Sequence, residues 1–173
     1  MPPNYLWRAV DHEEEVLESV VTKTWDRKAT LKLLKKSMKR LRNLVLVLGD
    51  QLDLEASAFN AFDARQDAVW MAEAHEESTH VWSSKQRIAL FLSAMRHFAQ
   101  SLEEKNWPVR YTRLDDADNT GTLAGELTKA IEMHKPQQLV MTAPGEWRVL
   151  QSLRGVAKQH GLPIEVRDDT HFF

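Results

Sequence analysis

Five aliphatic residues in a row, Leu44 to Leu48, stop at Gly49 and are followed at once by Asp50 and Gln51. A continuous apolar run of this length reads as a strand buried on both faces, the kind found inside a parallel sheet. In open α/β sheets ligands bind beyond the carboxyl ends of the strands, near the switch in strand order. The first strand therefore delivers one acid and one amide to a candidate ligand crevice. It does so without the glycines or lysine of a phosphate-binding loop.

The rhythm that follows supports the same class. Strands are expected over 44–48, 68–72, 109–113, 138–142 and 164–167. Helices are expected over 84–105, 123–134 and 146–160. In the longest of them Ile88, Leu92, Met95 and Ala99 form an apolar stripe, widened by Phe91, Phe98 and Leu102. Asn106 and Pro108 end it, and Gly161 closes the last helix. Strands alternating with helices imply an α/β Rossmann-like three-layer sandwich around a five-stranded parallel sheet.

Residues 43–173 are read as that domain and residues 1–42 as a helical, partly basic extension. Val10 to Val21 and Ala29 to Leu41 are both expected to be helices. Lys23 to Arg42 carries nine Lys and Arg against the single Asp26, so the rest of the chain after Asn43 is acidic in sum. A basic amphipathic helix can dock an acidic surface, a membrane or nucleic acid, or simply keep its lysines in water. Met38 stands just before the first strand and is an alternative start site.

The chain is 173 residues long with a formal net charge of −2, which gives no overall case for nucleic-acid or membrane binding. No apolar run has the length of a membrane span, and no apolar signal-peptide core is present, so the expected location is cytoplasmic. The absence of cysteine excludes disulfides, thiolate metal sites and Cys nucleophiles within these residues.

Three polar clusters follow strand ends. Asp50 and Gln51 follow the first strand; Glu73, His75, Glu76, Glu77 and His80 follow the second; Asp115, Asp116, Asp118 and Asn119 follow the third. Carboxylates and amides at such an edge suit neutral, hydroxyl-rich ligands, because they accept from hydroxyls and pair with a dione edge. They suit phosphate poorly. Competing structural roles exist: Asp50 as a turn cap and 115–119 as turn chemistry, while Lys85 and Arg87 could neutralise the strand-two acids or hold a ligand, with surface ion pairing the default. Trp82 is the tryptophan best placed to touch a flat ring. No zinc spacing, dinucleotide fingerprint, Walker sequence or nucleophile elbow occurs, so neither a metal site nor a catalytic residue is assigned.

Four segments in order carry a family resemblance: Leu46-Val-Leu-Gly-Asp-Gln-Leu52, Ser93-Ala-Met-Arg-His-Phe-Ala99, Val109-Arg-Tyr-Thr-Arg-Leu-Asp-Asp116 and Pro144-Gly-Glu-Trp-Arg-Val149. Together they resemble the N-terminal domain of the deoxyribodipyrimidine photolyase-related proteins, the iron–sulfur bacterial cryptochromes and prokaryotic (6-4) photolyases. The resemblance implies an antenna domain that binds 6,7-dimethyl-8-ribityllumazine. In the family a helical C-terminal domain then holds FAD and a four-iron cluster and contacts DNA. It places the antenna site at Asp50, Gln51 and Glu77, with Glu73, His80 and Lys85 beside them.

The chain departs from the family pattern at several points. His80 stands where the family often has tyrosine, Ser83 and Ser84 where it often has two histidines, and Ala72 where some relatives have cysteine. No flavin domain or cluster cysteines occur in these residues, so they are read as a fragment or truncation that does not repair DNA alone. The alternative is a ligand-free scaffold whose basic helix docks a separate flavoprotein chain or DNA. A small nucleotide-binding enzyme is the third reading, weakened by the missing phosphate-binding glycines.

Overall fold

A computed structural model of the chain describes residues 5–10 and 16–22 as backbone, and residues 41–79 and 84–169 in full apart from the side chains of 78–79. The chain divides into two compact units, Met1–Lys39 and Arg40–Phe173.

In the first unit, β1 (Tyr5–Val10) and β2 (Val16–Thr22) pair antiparallel, with Tyr5 opposite Thr22 and Trp7 opposite Val20. The helix expected over Val10–Val21 is thus corrected to the end of one strand, a connection and a second strand. The physical reason lies in the side chains. Tyr5, Trp7, Val16, Val20, Val21 and Thr22 are aromatic or β-branched and fit a pleated surface. The second expected helix of the extension, 29–41, lies outside the described residues up to position 40.

The second unit is built on β3 (Asn43–Leu46), β4 (Ala68–Ala72), β5 (Val109–Thr112), β6 (Gln138–Thr142) and β7 (Ile164–Arg167). All pair in parallel, in the order β5-β4-β3-β6-β7. The strands run outward in both directions from β3, so strand order reverses between β3 and β6. Around the sheet stand α1 (His75–Thr79), α2 (Lys85–Glu104), α3 (Leu123–His134) and α4 (Trp147–Gln159). The α/β Rossmann-like sandwich expected from the strand–helix rhythm is the fold observed.

Alternation along the strands separates two apolar layers, as a two-residue period requires. Leu44, Leu46, Trp70, Leu139 and Met141 face α3 and α4 and pack with Leu127, Leu150 and Leu153. Val45, Val69, Met71 and Val140 face the other way and pack with Met95, Phe98 and Leu102 of α2. No α-helix joins β3 to β4. That crossover is irregular, with one 3-10 turn at Ser57–Phe59. It is held by Arg167, whose guanidinium donates to the carbonyls of Ser57 (2.9 Å) and Asn60 (2.8 Å), and by the Phe62–Trp107 ring contact at 4.4 Å.

Helix ends follow local chemistry. Ser84 accepts from the Arg87 N–H at the start of α2, and Thr122 accepts from the Gly125 N–H at the start of α3. Lys135 closes α3 in the left-handed region, with φ of 47°. No helix among the described residues is long and apolar enough to cross a membrane.

Candidate functional site

A cavity of about 320 Å³ opens at the carboxyl edge of the sheet, above β3 and its two neighbours. Leu48, Gly49 and Asp50 enter it from β3, Ala72 to Ala74 from β4, and Pro144, Glu146 and Val149 from the β6–α4 connection. This is where the reversal of strand order leaves a crevice, since the connections on either side of β3 leave in opposite directions. The floor is apolar: Ile88, Phe91, Leu92 and Met95 of α2 face Leu48, Leu123 and Val149. The polar groups on the rim are Asp50, Glu77, Arg87 and Glu146.

Gly49 makes this geometry possible. A Cβ there would lie 2.5 Å from two ring atoms of Phe91 and 2.9 Å from the sulfur of Met95. The missing side chain lets α2 seat its apolar face directly on the end of β3. The glycine just beyond the strand serves close approach, not phosphate.

The structure distributes the six sequence-selected residues unequally. Asp50 lies on the rim. Burial beside the protein wall pushes its carboxyl above the usual range, and the negative charges of Glu146 and Asp169 add to that shift against a backbone hydrogen bond. Glu77 also lines the cavity, and its carboxylate accepts from Arg148 Nη2 at 3.0 Å.

Gln51 does not line the cavity. Its Nε2 donates to the carbonyls of Ala143 (2.8 Å) and Thr142 (3.4 Å), bracing the end of β3 to the end of β6. Two carbonyl acceptors fix the orientation of that amide. Its Oε1 is buried without a protein partner among the described residues.

Glu73 lines the cavity as well, and its carboxylate is saturated. It accepts from Arg96 Nε at 2.7 Å, Arg96 Nη2 at 2.9 Å, the Tyr111 hydroxyl at 2.5 Å and the Leu114 N–H at 2.8 Å. Burial alone would raise this carboxyl, but these donors outweigh it and hold the group below its usual range. The same arrangement pushes the Tyr111 hydroxyl up, through burial first and the adjacent carboxylate second. Lys85 is exposed at the first position of α2 and is not part of the wall. His80 and Trp82 lie outside the described residues.

Sequence reasoning singles out neither Glu146, on the rim, nor Arg148, its partner outside the cavity lining, as a site residue. The signal was present for both, because the strand-end argument applied to the first three strands applies equally to β6, and Glu146 and Arg148 follow it directly. The cluster at 115–119 is turn chemistry. Asp116 Oδ2 accepts from the Arg113 N–H at 2.7 Å, and Asn119 Oδ1 accepts from the Gly121 N–H at 2.7 Å. Asn119 Nδ2 also donates to the Glu73 carbonyl at 2.9 Å, tying that turn to the wall of the cavity. Among the described residues no group of three or more His, Asp or Glu is arranged to hold a metal ion.

The arrangement combines an apolar floor with a rim rich in hydrogen-bond acceptors. No nucleophile–base pair lines it.

Comparison with known proteins agrees with the motifs. Residues 45–173 match the family model described as deoxyribodipyrimidine photo-lyase-related protein. A protein of Agrobacterium fabrum (strain C58 / ATCC 33970) named (6-4) photolyase is 42% identical over 132 residues, covering 76% of this chain. The chain spans about a quarter of that relative, 26% of its length. A family model covering most of the α/β unit, with strand ends and cavity where the shared motifs fall, makes this chain a member of the deoxyribodipyrimidine photo-lyase-related protein family.

Proposed function

We propose that this chain is a light-harvesting module, the chromophore-binding part of a photolyase-related DNA-repair flavoprotein, and that its ligand is 6,7-dimethyl-8-ribityllumazine. The observation that carries the reading is the cavity at the strand-order switch: apolar below, carboxylate-rimmed above, and lacking a glycine-and-lysine phosphate cradle. The donor set fits such a group. Phe91, Ile88 and Leu92 offer apolar surface to a ring, Asp50, Glu77 and Glu146 accept from ribityl hydroxyls, and Arg87 supplies a donor. A volume of about 320 Å³ lies at the lower end of the roughly 300–1,000 Å³ typical of small-molecule sites, as suits a single compact heterocycle.

When bound, the chromophore supplies absorption and energy transfer. The residues of this chain bind it, fix its orientation and keep water from the ring. Gln51 braces β3 to β6 beneath that surface, and Glu73 anchors the wall to α2. Repair chemistry, with its FAD and iron–sulfur cluster, belongs to a region outside these residues. The name of the Agrobacterium relative, and this chain's 26% share of its length, support that assignment.

Fluorescence titration of the purified chain with the lumazine tests the proposal. Saturable quenching or a shifted absorption band is expected. Asp50→Ala and Glu77→Ala are each expected to weaken binding about tenfold, the loss of one hydrogen bond to a charged acceptor. Unchanged affinity in both variants would remove the assigned pocket. A wild-type chain blind to the lumazine would leave a docking domain as the better description.

A further inference from the structure

Three carboxylates share one guanidinium at the mouth of the cavity. Arg148 Nη1 donates to Glu76 Oε1 at 3.0 Å, and Nη2 donates to Glu77 Oε1 and to Glu146 Oε2, each at 3.0 Å. Glu76 and Glu77 belong to α1, which follows β4; Arg148 and Glu146 stand at the start of α4, which follows β6. In the sheet β4 and β6 are not neighbours, because β3 lies between them. The bridge therefore passes across the end of β3, where Gly49 and Asp50 meet the cavity.

Local structure cannot hold α1 in place. It has five residues, far below the roughly 12–15 at which isolated helices become even marginal in water. Its position must come from tertiary ties, among them the Arg148 bridge and the Glu76 N–H donating to the Gly121 carbonyl at 3.1 Å. Without a cation between them, three carboxylates this close repel one another. Arg148 itself does not line the cavity, but two of its three partners, Glu77 and Glu146, do. Its side chain is 34% exposed, and its Nε is buried, so the planar fork is held rather than free.

We infer that Arg148 is a positioning residue, a clamp tying α1 to α4 over β3 that sets Glu77 and Glu146 in the orientation in which ligand hydroxyls meet them. The inference rests on the chromophore-pocket reading above for its consequence, though not for its geometry. Lysine cannot replace it fully, since an ammonium is a point charge without the planar fork that reaches three acceptors.

Hydrogen–deuterium exchange of the ligand-free, full chain separates the clamp from the ligand. Arg148→Met is expected to speed amide exchange across 75–79 while the middle of α3 keeps its wild-type protection. In lumazine titrations the same variant is expected to bind about tenfold more weakly, and Arg148→Lys to fall between it and wild type. Adding Glu76→Gln to Arg148→Met relieves repulsion without touching the cavity wall and is expected to recover part of the loss. Loss of packing alone would give no such recovery.

Unchanged exchange at 75–79 in Arg148→Met overturns the clamp, whether or not lumazine binds. Failure of the second substitution to restore any affinity overturns the positioning role. If Arg148→Met does not fold, Arg148→Lys gives the same exchange comparison. Faster exchange in a chain that ignores lumazine supports the clamp and sinks the chromophore reading alone.

Discussion

Asp50 and Glu73 follow neighbouring strands, and their environments push their carboxyls in opposite directions. Glu73 is fully buried yet satisfied by a fork, a phenol and a backbone N–H. Asp50 stands on the rim with burial and two negative neighbours against its charge. Its folded-state pKa is raised, so its favourable contribution is complete below the unfolded value of 3.8 and is lost as pH rises through the folded value. At neutral pH the charged form therefore costs stability. Asp50→Asn is expected to raise the melting temperature at pH 7 and to leave it nearly unchanged at pH 3, while lumazine binding weakens. Thermal scans at the two pH values check this, and equal shifts at both would remove the electrostatic cause. Stability traded against a ligand group is common at binding sites. Strand-end logic made Asp50 and Glu77 legible in the sequence. It could not tell that the Glu73 carboxylate is already saturated, because the residues that saturate it, Arg96, Tyr111 and Leu114, lie 23 to 41 positions away.

Helix α2 shows what one glycine decides for a whole element. In its N-terminal half Ile88 and Leu92 are half-buried, and Phe91, 42% exposed, stands against Gly49 just beyond the end of β3. Gly49→Ala is expected to destabilise the domain by about 1–3 kcal/mol through overpacking. Combining it with Phe91→Ala should return most of that loss. Urea denaturation of the single and double variants measures the coupling, and simple additivity would argue against the contact. The five parallel strands and three longer helices were readable because long periodic segments state their own class. Strand Ala68–Ala72 and helix Leu123–His134 fall on the bounds expected. The β1–β2 hairpin was not readable from periodicity, since Val16, Leu17, Val20 and Val21 also recur at helical spacing. Helix α1 was missed because five residues carry too little pattern to be told from a loop.

At the scale of the molecule, acid sensitivity follows from carboxylates tied across the fold. Asp67 is held by Arg42 at 2.6 Å and Glu126 by the Thr120 N–H at 2.6 Å, while Glu73 sits between α2 and β5. In each, burial works to raise the pKa and the donors outweigh it, so the folded value lies below the ordinary 3.8 or 4.5. His134 is lowered from 6.5 by burial and then by Arg110. A depressed folded pKa contributes stability that is whole above the unfolded value and is lost as pH falls through the folded one. The melting temperature is therefore expected to slip below about pH 6.5 from His134 and to drop more steeply below about pH 4.5 from the carboxylates. A flat profile between pH 6 and 3 would contradict these ties.

The cavity has one more consequence. Below it the sheet keeps the two apolar layers apart, but its wall draws on both: Leu123 and Val149 from one side, Leu92 and Met95 from the other. A guest seated there would be a keystone touching both halves of the sandwich at the point where no strand divides them, and its arrival would stiffen the opposite helical layers as a single body.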